Sequence, residues 1–236
     1  MRQITEALFS MQDEKYRAFH GALMPTVERE RIIGVRMPAL RRYAAALAKK
    51  PEAALFLLEL PHTYYEENNL HALLLMREKD FDVLMPQLER FLPEIDNWAT
   101  CDLFKPACFA QNRKGLLPYL SEWLRSDRPY TVRFAIEMLM THYLREDFSP
   151  EYPAWVAAVS SEHYYVRMMQ AWYFATALAF RYEELLPYLT QERLSPWVRQ
   201  KTIQKAVESL RLSPAQKEEL KALRRKAPPR NTSCSG

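Results

Sequence analysis

The feature that most constrains the fold is an internal repeat of thirty-odd residues. The stretch Leu-Leu-Pro-Tyr-Leu begins at both Leu116 and Leu185, 69 residues apart. A Val-Arg pair begins at Val132, Val166 and Val198, at spacings of 34 and 32 residues. Each pair opens an apolar run with helical periodicity. Self-similarity at this period, carried by helices alone, predicts a helical solenoid.

Extending the period along the chain predicts an all-α fold, a right-handed α-solenoid of about six HEAT-like helical-pair repeats. The tetratricopeptide signature is missing, which favours the HEAT-like type. The predicted second helices of the pairs are 40–48, 70–76, 98–109, 133–144, 167–178 and 199–210. We expect one repeat domain over residues 1–226, followed by a disordered C-terminal tail at 227–236, where paired prolines precede small polar residues.

The composition argues against several other classes of protein. Only 4 glycines occur in 236 residues, too few for the turns of a sheet-rich fold or the phosphate loops of a nucleotide-binding one. No apolar run is long enough to span a membrane. The 3 cysteines indicate a reducing compartment, so we expect a cytoplasmic protein. The histidines lack metal-ligand spacing and no nucleophile-elbow motif is present, so we expect neither a metal nor a cofactor.

Arginines recur at the start of the predicted second helices. In a helical-pair solenoid these helices line the concave surface. The residues at this position are Arg36, Arg133, Arg167 and Arg199. They would either form a basic stripe for a polyanion or neutralise acidic neighbours between repeats. The C-terminal end is also basic, with nine Lys/Arg against three Glu over residues 199–226, which fits either a polyanion footprint or a solvated helix.

Two tryptophans occupy positions that suggest chemistry. Trp98 and Asp102 are four residues apart and therefore share one helix face. A carboxylate on a buried face costs several kcal/mol unless it is paired, so it either serves a site or forms an ion pair with Arg133 of the next repeat. Trp172 belongs to an apolar stripe, and either packs in the core or presents its ring to a ligand.

Taken in order, several segments resemble the DNA alkylation repair family, the AlkD-like alkylpurine DNA glycosylases built from HEAT-like repeats. The resemblance covers almost the whole chain. It comprises Ile-Gly-Val-Arg-Met-Pro at 33–38 with Arg41-Arg42 after it, Asn97-Trp98 to Asp102, and the segments 131–136, 164–172 and 198–205. None of these motifs is specific for the family by itself. Their order and spacing, taken together, are specific for it.

The resemblance implies an enzyme that excises purines alkylated at N3 or N7 from duplex DNA without a deep base-flipping pocket. The implied catalytic residues are Asp102, Trp98, Trp172 and Arg133. The candidate contacts to the DNA backbone are Arg36, Arg167, Arg199, Lys201 and Lys205. The expected partner is duplex DNA that contains an alkylated purine. We expect the protein to act as a monomer and not to bind a membrane.

The sequence also departs from the family pattern. The N-terminal region is short, Asn97 and Ala99 flank Trp98 where the family has bulkier or acidic residues, and the first two-thirds of the chain is slightly acidic. These departures keep a second function open. In that alternative, the chain is a non-catalytic HEAT-like scaffold that binds nucleic acid or a protein partner.

Overall fold

A computed structural model describes residues 2–225 of the chain, and this part contains fourteen α-helices and no β-strand. The predicted all-α class is therefore confirmed. The predicted disordered tail at 227–236 lies outside the described residues. Across the described part of the chain, no helix has both the length and the apolar character needed to cross a membrane. The cytoplasmic location stays a prediction.

The chain divides into two compact units, 1–134 and 135–236, with the boundary inside one helix. The first unit contains α1 (Arg2–Ser10), α2 (Glu14–Ala22), α3 (Met37–Leu47), α4 (Glu52–Leu58), α5 (Tyr65–Leu75), α6 (Phe81–Phe91), α7 (Trp98–Leu103) and α8 (Arg113–Trp123). The boundary falls within α9 (Pro129–His142). The second unit continues with α10 (Glu151–Ala158), α11 (Tyr164–Leu178), α12 (Tyr182–Thr190), α13 (Pro196–Glu208) and α14 (Pro214–Arg225). One continuous domain over 1–226 stays a prediction.

Successive second helices stack against one another within each unit. In the first unit, α3 packs on α5 and α5 packs on α7, while α4 and α6 cover α5. Every residue of α5 is buried, which explains why its sequence shows little amphipathic pattern. In the second unit, α11 packs on α13, with α10 and α12 against α11 and α14 against α13. This stacking is what a helical-pair repeat predicts, and the solenoid of the whole chain stays a prediction.

The predicted helix at 98–109 is wrong in one respect. It breaks after α7, and a short 3-10 helix (Ala107–Ala110) follows. The break comes at Lys105-Pro106, because proline disfavours the helical conformation of the residue before it and cannot donate a backbone hydrogen bond. Phe104 already has an extended backbone there, with φ −83° and ψ 99°. The helix that carries Trp98 and Asp102 is therefore only six residues long.

A buried carboxylate ties the loop before α3 to α5. Glu66 accepts hydrogen bonds from the backbone N–H groups of Ile33, Gly34 and Val35 at 2.8, 2.7 and 3.2 Å. Burial raises the pKa of Glu66, although the three donors oppose that shift. Gly34 lies at φ +95°, and a Cβ there would approach the Arg17 Cβ to 2.6 Å. Only glycine fits this turn without strain.

Candidate functional site

The short helix α7 is held in place by buried polar side chains. Asn97 caps its N-terminus, since its Oδ1 accepts the Thr100 backbone N–H at 2.8 Å. The Thr100 hydroxyl donates to Oδ1 of Asn69 on α5 at 2.9 Å. All three side chains are buried. This network sets the position of the helix that presents Trp98 and Asp102.

The sequence does not predict that network. Asn97 stands out in the sequence only as a departure from the family residue at its position. The available signal was an Asn placed one residue before a helix, where its side chain is a preferred N-cap. Neither Asn69 nor Thr100 carries a comparable signal, because their pairing across 31 residues depends on how α5 packs on α7.

Trp98 is half-buried, with one side against the protein. Its Nε1 donates to the backbone carbonyl of Leu23, just after α2, at 3.1 Å. Its ring packs against a small apolar cluster formed by Met24, Val27, Ile32 and Tyr65. The hydrogen bond and the packing fix the orientation of the indole. The residue as a whole is nevertheless only partly buried.

Asp102 forms a bidentate ion pair with Arg133 of α9. Arg133 Nε donates to Oδ1 at 2.8 Å and Nη2 donates to Oδ2 at 2.7 Å. The Arg133 side chain is 6% exposed and that of Asp102 is 19% exposed. The ion pair that the sequence left open as an alternative is therefore present. Asp102 is the more exposed partner of the two. Its carboxylate oxygens retain further lone pairs, because an ionised carboxylate accepts several hydrogen bonds.

Arg36, predicted as a backbone contact, lies against α2. Its Nε donates to Asp13 Oδ2 at 2.8 Å, and its guanidinium lies 5.0 Å from the centre of the Tyr16 ring. The Tyr16 backbone N–H and then the Arg36 guanidinium lower the pKa of Asp13. More than half of the Arg36 side chain is exposed. To bind a phosphate, the Arg36 guanidinium must either use donors other than the one that binds Asp13 or break its hydrogen bond to Asp13.

In the second unit, Trp172 stands on the surface of α11. Its side chain is 41% exposed, so packing in the core does not account for it. Lys205 of α13 places its Nζ 5.9 Å from the centre of the indole. This distance suits a cation–π contact of ~0.5–1 kcal/mol at an exposed site. The ring and the ammonium line a shallow hollow together with Thr176 and Arg211.

The other residues predicted to contact the DNA backbone differ in the partners that they already bind within the protein. Arg199 donates to the carbonyls of Leu189 and Leu223, at 2.6 and 3.2 Å, and so ties together the ends of α12 and α14. Lys201 donates to the Gln204 side chain at 3.0 Å. Arg167 forms an ion pair with Glu162 at 2.6 Å. The role of each of these residues in DNA binding stays a prediction.

The structure thus brings the predicted residues together in two groups. Asp102 and Arg133 are directly paired in the first unit, with Trp98 one turn earlier on the same helix. Trp172 and Lys205 are in contact in the second unit. One shared cleft for the two indoles and the carboxylate stays a prediction.

A comparison with family models matches residues 4–207 to a family described as DNA alkylation repair enzyme. The matched region contains α2 to α12 and therefore all four candidate catalytic residues. It also contains the five candidate backbone contacts, the last of which is Lys205. The comparison with curated proteins found no match.

Proposed function

Because this chain belongs to the DNA alkylation repair enzyme family, we propose that it excises purines carrying a positive charge at N3 or N7 from duplex DNA. A cationic purine is already a good leaving group, so the glycosidic bond needs little general-acid help. What remains is to stabilise the sugar as it gains oxocarbenium character and to position a water. One carboxylate in a partly shielded place can do both.

The carboxylate that carries this proposal is Asp102. It is held at a defined place by α7 and by the bidentate contact with Arg133, at 2.7 and 2.8 Å. Its partial exposure leaves a route for a sugar or a water to approach. Arg133 has the planar donor geometry that also suits a phosphate. In the proposed complex a backbone phosphate shares or takes over Arg133, which increases the negative charge felt beside Asp102.

The two indoles supply the binding surface in this proposal. Trp172 is an exposed ring with a cation close to its face. Trp98 is fixed by its hydrogen bond to Leu23. Aromatic faces attract a cationic lesion by ~0.5–2 kcal/mol each and pack against sugars. No metal or cofactor takes part in the proposed reaction.

One observation favours the alternative function, a scaffold that binds nucleic acid or a protein without excision. Both oxygens of Asp102 already accept from Arg133, so the pair is electrically neutral as a unit. A carboxylate neutralised in this way stabilises a cationic sugar less than a free one does. The scaffold alternative predicts weak DNA binding with little salt dependence, whereas several Arg/Lys contacts make affinity fall steeply with salt.

The decisive experiment measures release of alkylated base from methylated duplex DNA under single-turnover conditions. Asp102→Asn removes the carboxylate charge and with it the ion pair to the buried Arg133. Arg133→Gln breaks the same ion pair and keeps the carboxylate. We expect Asp102→Asn to abolish release, and Arg133→Gln to weaken DNA binding while retaining a measurable rate of excision at saturation.

Two controls make the result interpretable. Asp96→Asn breaks the nearby ion pair of Asp96 with Arg31, where both side chains are 33% exposed, and should excise as the wild type does. Unfolding is monitored for each variant, because breaking a buried ion pair costs ~3–5 kcal/mol. Equal release from the wild type and Asp102→Asn, or no release from the wild type, rules out catalysis by this carboxylate.

A further inference from the structure

The helix α2 contains no buried residue, so apolar packing alone does not hold it in place. Polar contacts contribute instead. The Arg17 Nε donates to the carbonyl of Ile32 at 2.7 Å, and His20 Nε2 lies 3.0 Å from the Tyr65 hydroxyl of α5. The position of α2 therefore depends on hydrogen bonds, one of which involves a titratable ring.

The end of α2 supplies the acceptor that orients Trp98. The indole Nε1 donates to the carbonyl of Leu23 at 3.1 Å, and the Leu23 N–H in turn donates to the carbonyl of His20 at 3.0 Å. Leu23 is the C-cap of α2. The last carbonyls of a helix lack partners within the helix, so they are available to an outside donor. A movement of α2 would therefore move the acceptor of the indole.

A chain of side-chain hydrogen bonds also joins His20 to the start of α7. Asn97 Nδ2 donates to Thr100 Oγ1 at 3.0 Å, and the Thr100 hydroxyl donates to Asn69 Oδ1 at 2.9 Å. Asn69 forms a hydrogen bond with the Tyr65 hydroxyl four residues earlier on α5. The Tyr65 hydroxyl then meets His20. The chain thus runs from α2 through α5 to the N-cap of α7.

The direction of these hydrogen bonds can be assigned. Asn69 accepts from Thr100 through its oxygen, so its amide nitrogen is the group left to donate to the Tyr65 oxygen. Burial raises the pKa of Tyr65 and this hydrogen bond opposes the rise, as expected when the oxygen accepts. The hydroxyl hydrogen of Tyr65 then points to His20 Nε2, because a buried donor without an acceptor is costly. His20 can accept it only while Nε2 carries no proton.

Protonation of His20 conflicts with this arrangement. Both ring nitrogens of a charged histidine are donors. Nε2 would direct a hydrogen at a Tyr65 oxygen that already accepts one from Asn69, and the Tyr65 hydroxyl would lose its acceptor. Tyr65 is only 4% exposed, so water does not readily replace that acceptor. The contact between α2 and α5 can then persist only if one of the two moves.

The surroundings of His20 keep the ring neutral at pH 7. It stacks on Tyr16 of its own helix, with ring centres 5.1 Å apart. The charged groups nearby are Arg36, whose guanidinium lies 5.0 Å from the centre of the Tyr16 ring, and Glu66 of α5, which raises the pKa of both tyrosines beside His20. Burial lowers the pKa of His20 below its ordinary value of 6.5. The ring therefore takes up a proton in mildly acidic solution.

We propose that His20 is a positioning residue for Trp98. While neutral, His20 accepts from Tyr65 and keeps α2 fixed relative to α7, so that the Leu23 carbonyl holds the indole. Protonation of His20 breaks the chain and frees the indole from that orientation. The inference rests on the proposed function only in treating Trp98 as part of the site, and its first test does not require base excision.

That test follows Trp98 by fluorine NMR of protein labelled with 5-fluorotryptophan. Trp98→Phe identifies its signal among the 5 tryptophans. In the wild type we expect this signal to shift between pH 8 and about pH 5, with a midpoint below 6.5, as His20 takes up a proton. Tyr65→Phe keeps the ring and the titrating histidine, and should abolish the shift. His20→Gln should abolish it too, because an amide oxygen can accept from Tyr65 and does not titrate.

The control is His142→Gln, which removes a half-buried histidine at the end of α9 and should leave the shift as in the wild type. The signals of the other tryptophans separate a local change from unfolding, which would move all of them. A Trp98 signal that does not titrate in the wild type overturns the proposal. A shift that persists in Tyr65→Phe or in His20→Gln also overturns it, because it would not depend on the hydrogen bond between these two residues.

Base release by the same proteins extends the test to the reaction. We expect the single-turnover rate of the wild type to fall about tenfold as His20 is protonated, since a misplacement of ~1 Å can cost ~100-fold. Tyr65→Phe should show the lower rate already at pH 8, and His20→Gln should reduce the fall at acidic pH. A rate for Tyr65→Phe equal to that of the wild type at pH 8 overturns the positioning role. Release without a titrating Trp98 signal refutes only this role, whereas a titrating signal without release refutes only the excision proposal.

Discussion

Two buried histidines should make the stability of this protein strongly dependent on pH. His62 Nε2 and His71 Nδ1 share a hydrogen bond of 2.8 Å, and both side chains are buried. Each ring stacks on a phenylalanine, His62 on Phe56 and His71 on Phe91. Burial lowers the pKa of His62 to about 4, which Glu67 partly opposes. Burial, with the neighbouring His62, lowers the pKa of His71 to about 3.

The direction of the effect follows from proton uptake by the unfolded chain. Above the unfolded pKa of 6.5, both histidines are neutral in both states and their contribution to stability is complete. Below that pH the unfolded state binds protons that the folded state excludes, so stability falls as the pH approaches the folded values. One and a half pH units below 6.5, at pH 5, each histidine costs about 2 kcal/mol at ~1.36 kcal/mol per unit.

The assay is urea unfolding at pH 7 and pH 5 for the wild type and the double variant His62→Gln/His71→Asn. The replacement amides can keep a hydrogen bond near the positions of the ring nitrogens and do not titrate in this range. We expect the wild type to lose about 4 kcal/mol more than the double variant between the two pH values, a large part of a typical folding free energy of ~5–15 kcal/mol. Equal losses in the two proteins would refute the assignment of this pH dependence to the histidine pair.

Two further predictions concern the segments that place the site. Gly34→Ala should destabilise the fold by at least about 2 kcal/mol, because φ is +95° and the new Cβ would lie 2.6 Å from that of Arg17; Gly21→Ala, whose Cβ would meet its nearest neighbour at 3.5 Å, should change the unfolding midpoint far less. Asn97→Ala removes the cap of α7 and should cost about 1 kcal/mol or more in urea unfolding, while Thr100→Ser keeps the hydroxyl and should cost less. A midpoint shift for Gly21→Ala as large as that for Gly34→Ala, or an Asn97→Ala protein as stable as the wild type, would contradict these two arguments.

Much of the fold could be predicted from periodicity. The predicted second helices at 133–144 and 167–178 overlap α9 (Pro129–His142) and α11 (Tyr164–Leu178) almost throughout. This works because one face of each helix must be apolar at helical spacing in every repeat. The repeat register failed at 98–109, where the proline at 106 interrupts the helix. Pro106 is itself a helix-breaking signal in the sequence, whereas the repeat period alone extends the helix through it.

The candidate site was predictable only in part. Residue type and order placed Trp98 and Asp102 on one second helix and Arg133 on the next. The structure pairs Asp102 with Arg133. The exposure of Trp172 could not be read from its apolar neighbours, since a ring in an apolar stripe can face inward or outward. Glu162 carried no sequence signal, because its contact with Arg167 depends on the path of a loop.

The recurring arginines show most clearly what the sequence alone determined. Spacing placed Arg133, Arg167 and Arg199 at one position in successive repeats. Their partners are a carboxylate on α7, an exposed glutamate in a loop, and the carbonyls at the ends of two helices. Local sequence determines where a helix begins and which residue occupies its first turn, because those are short-range properties of the backbone. Only the tertiary structure decided which acceptors each guanidinium binds, because those acceptors lie 5 to 31 residues away along the chain and are brought within reach by the path of a loop or by helix packing.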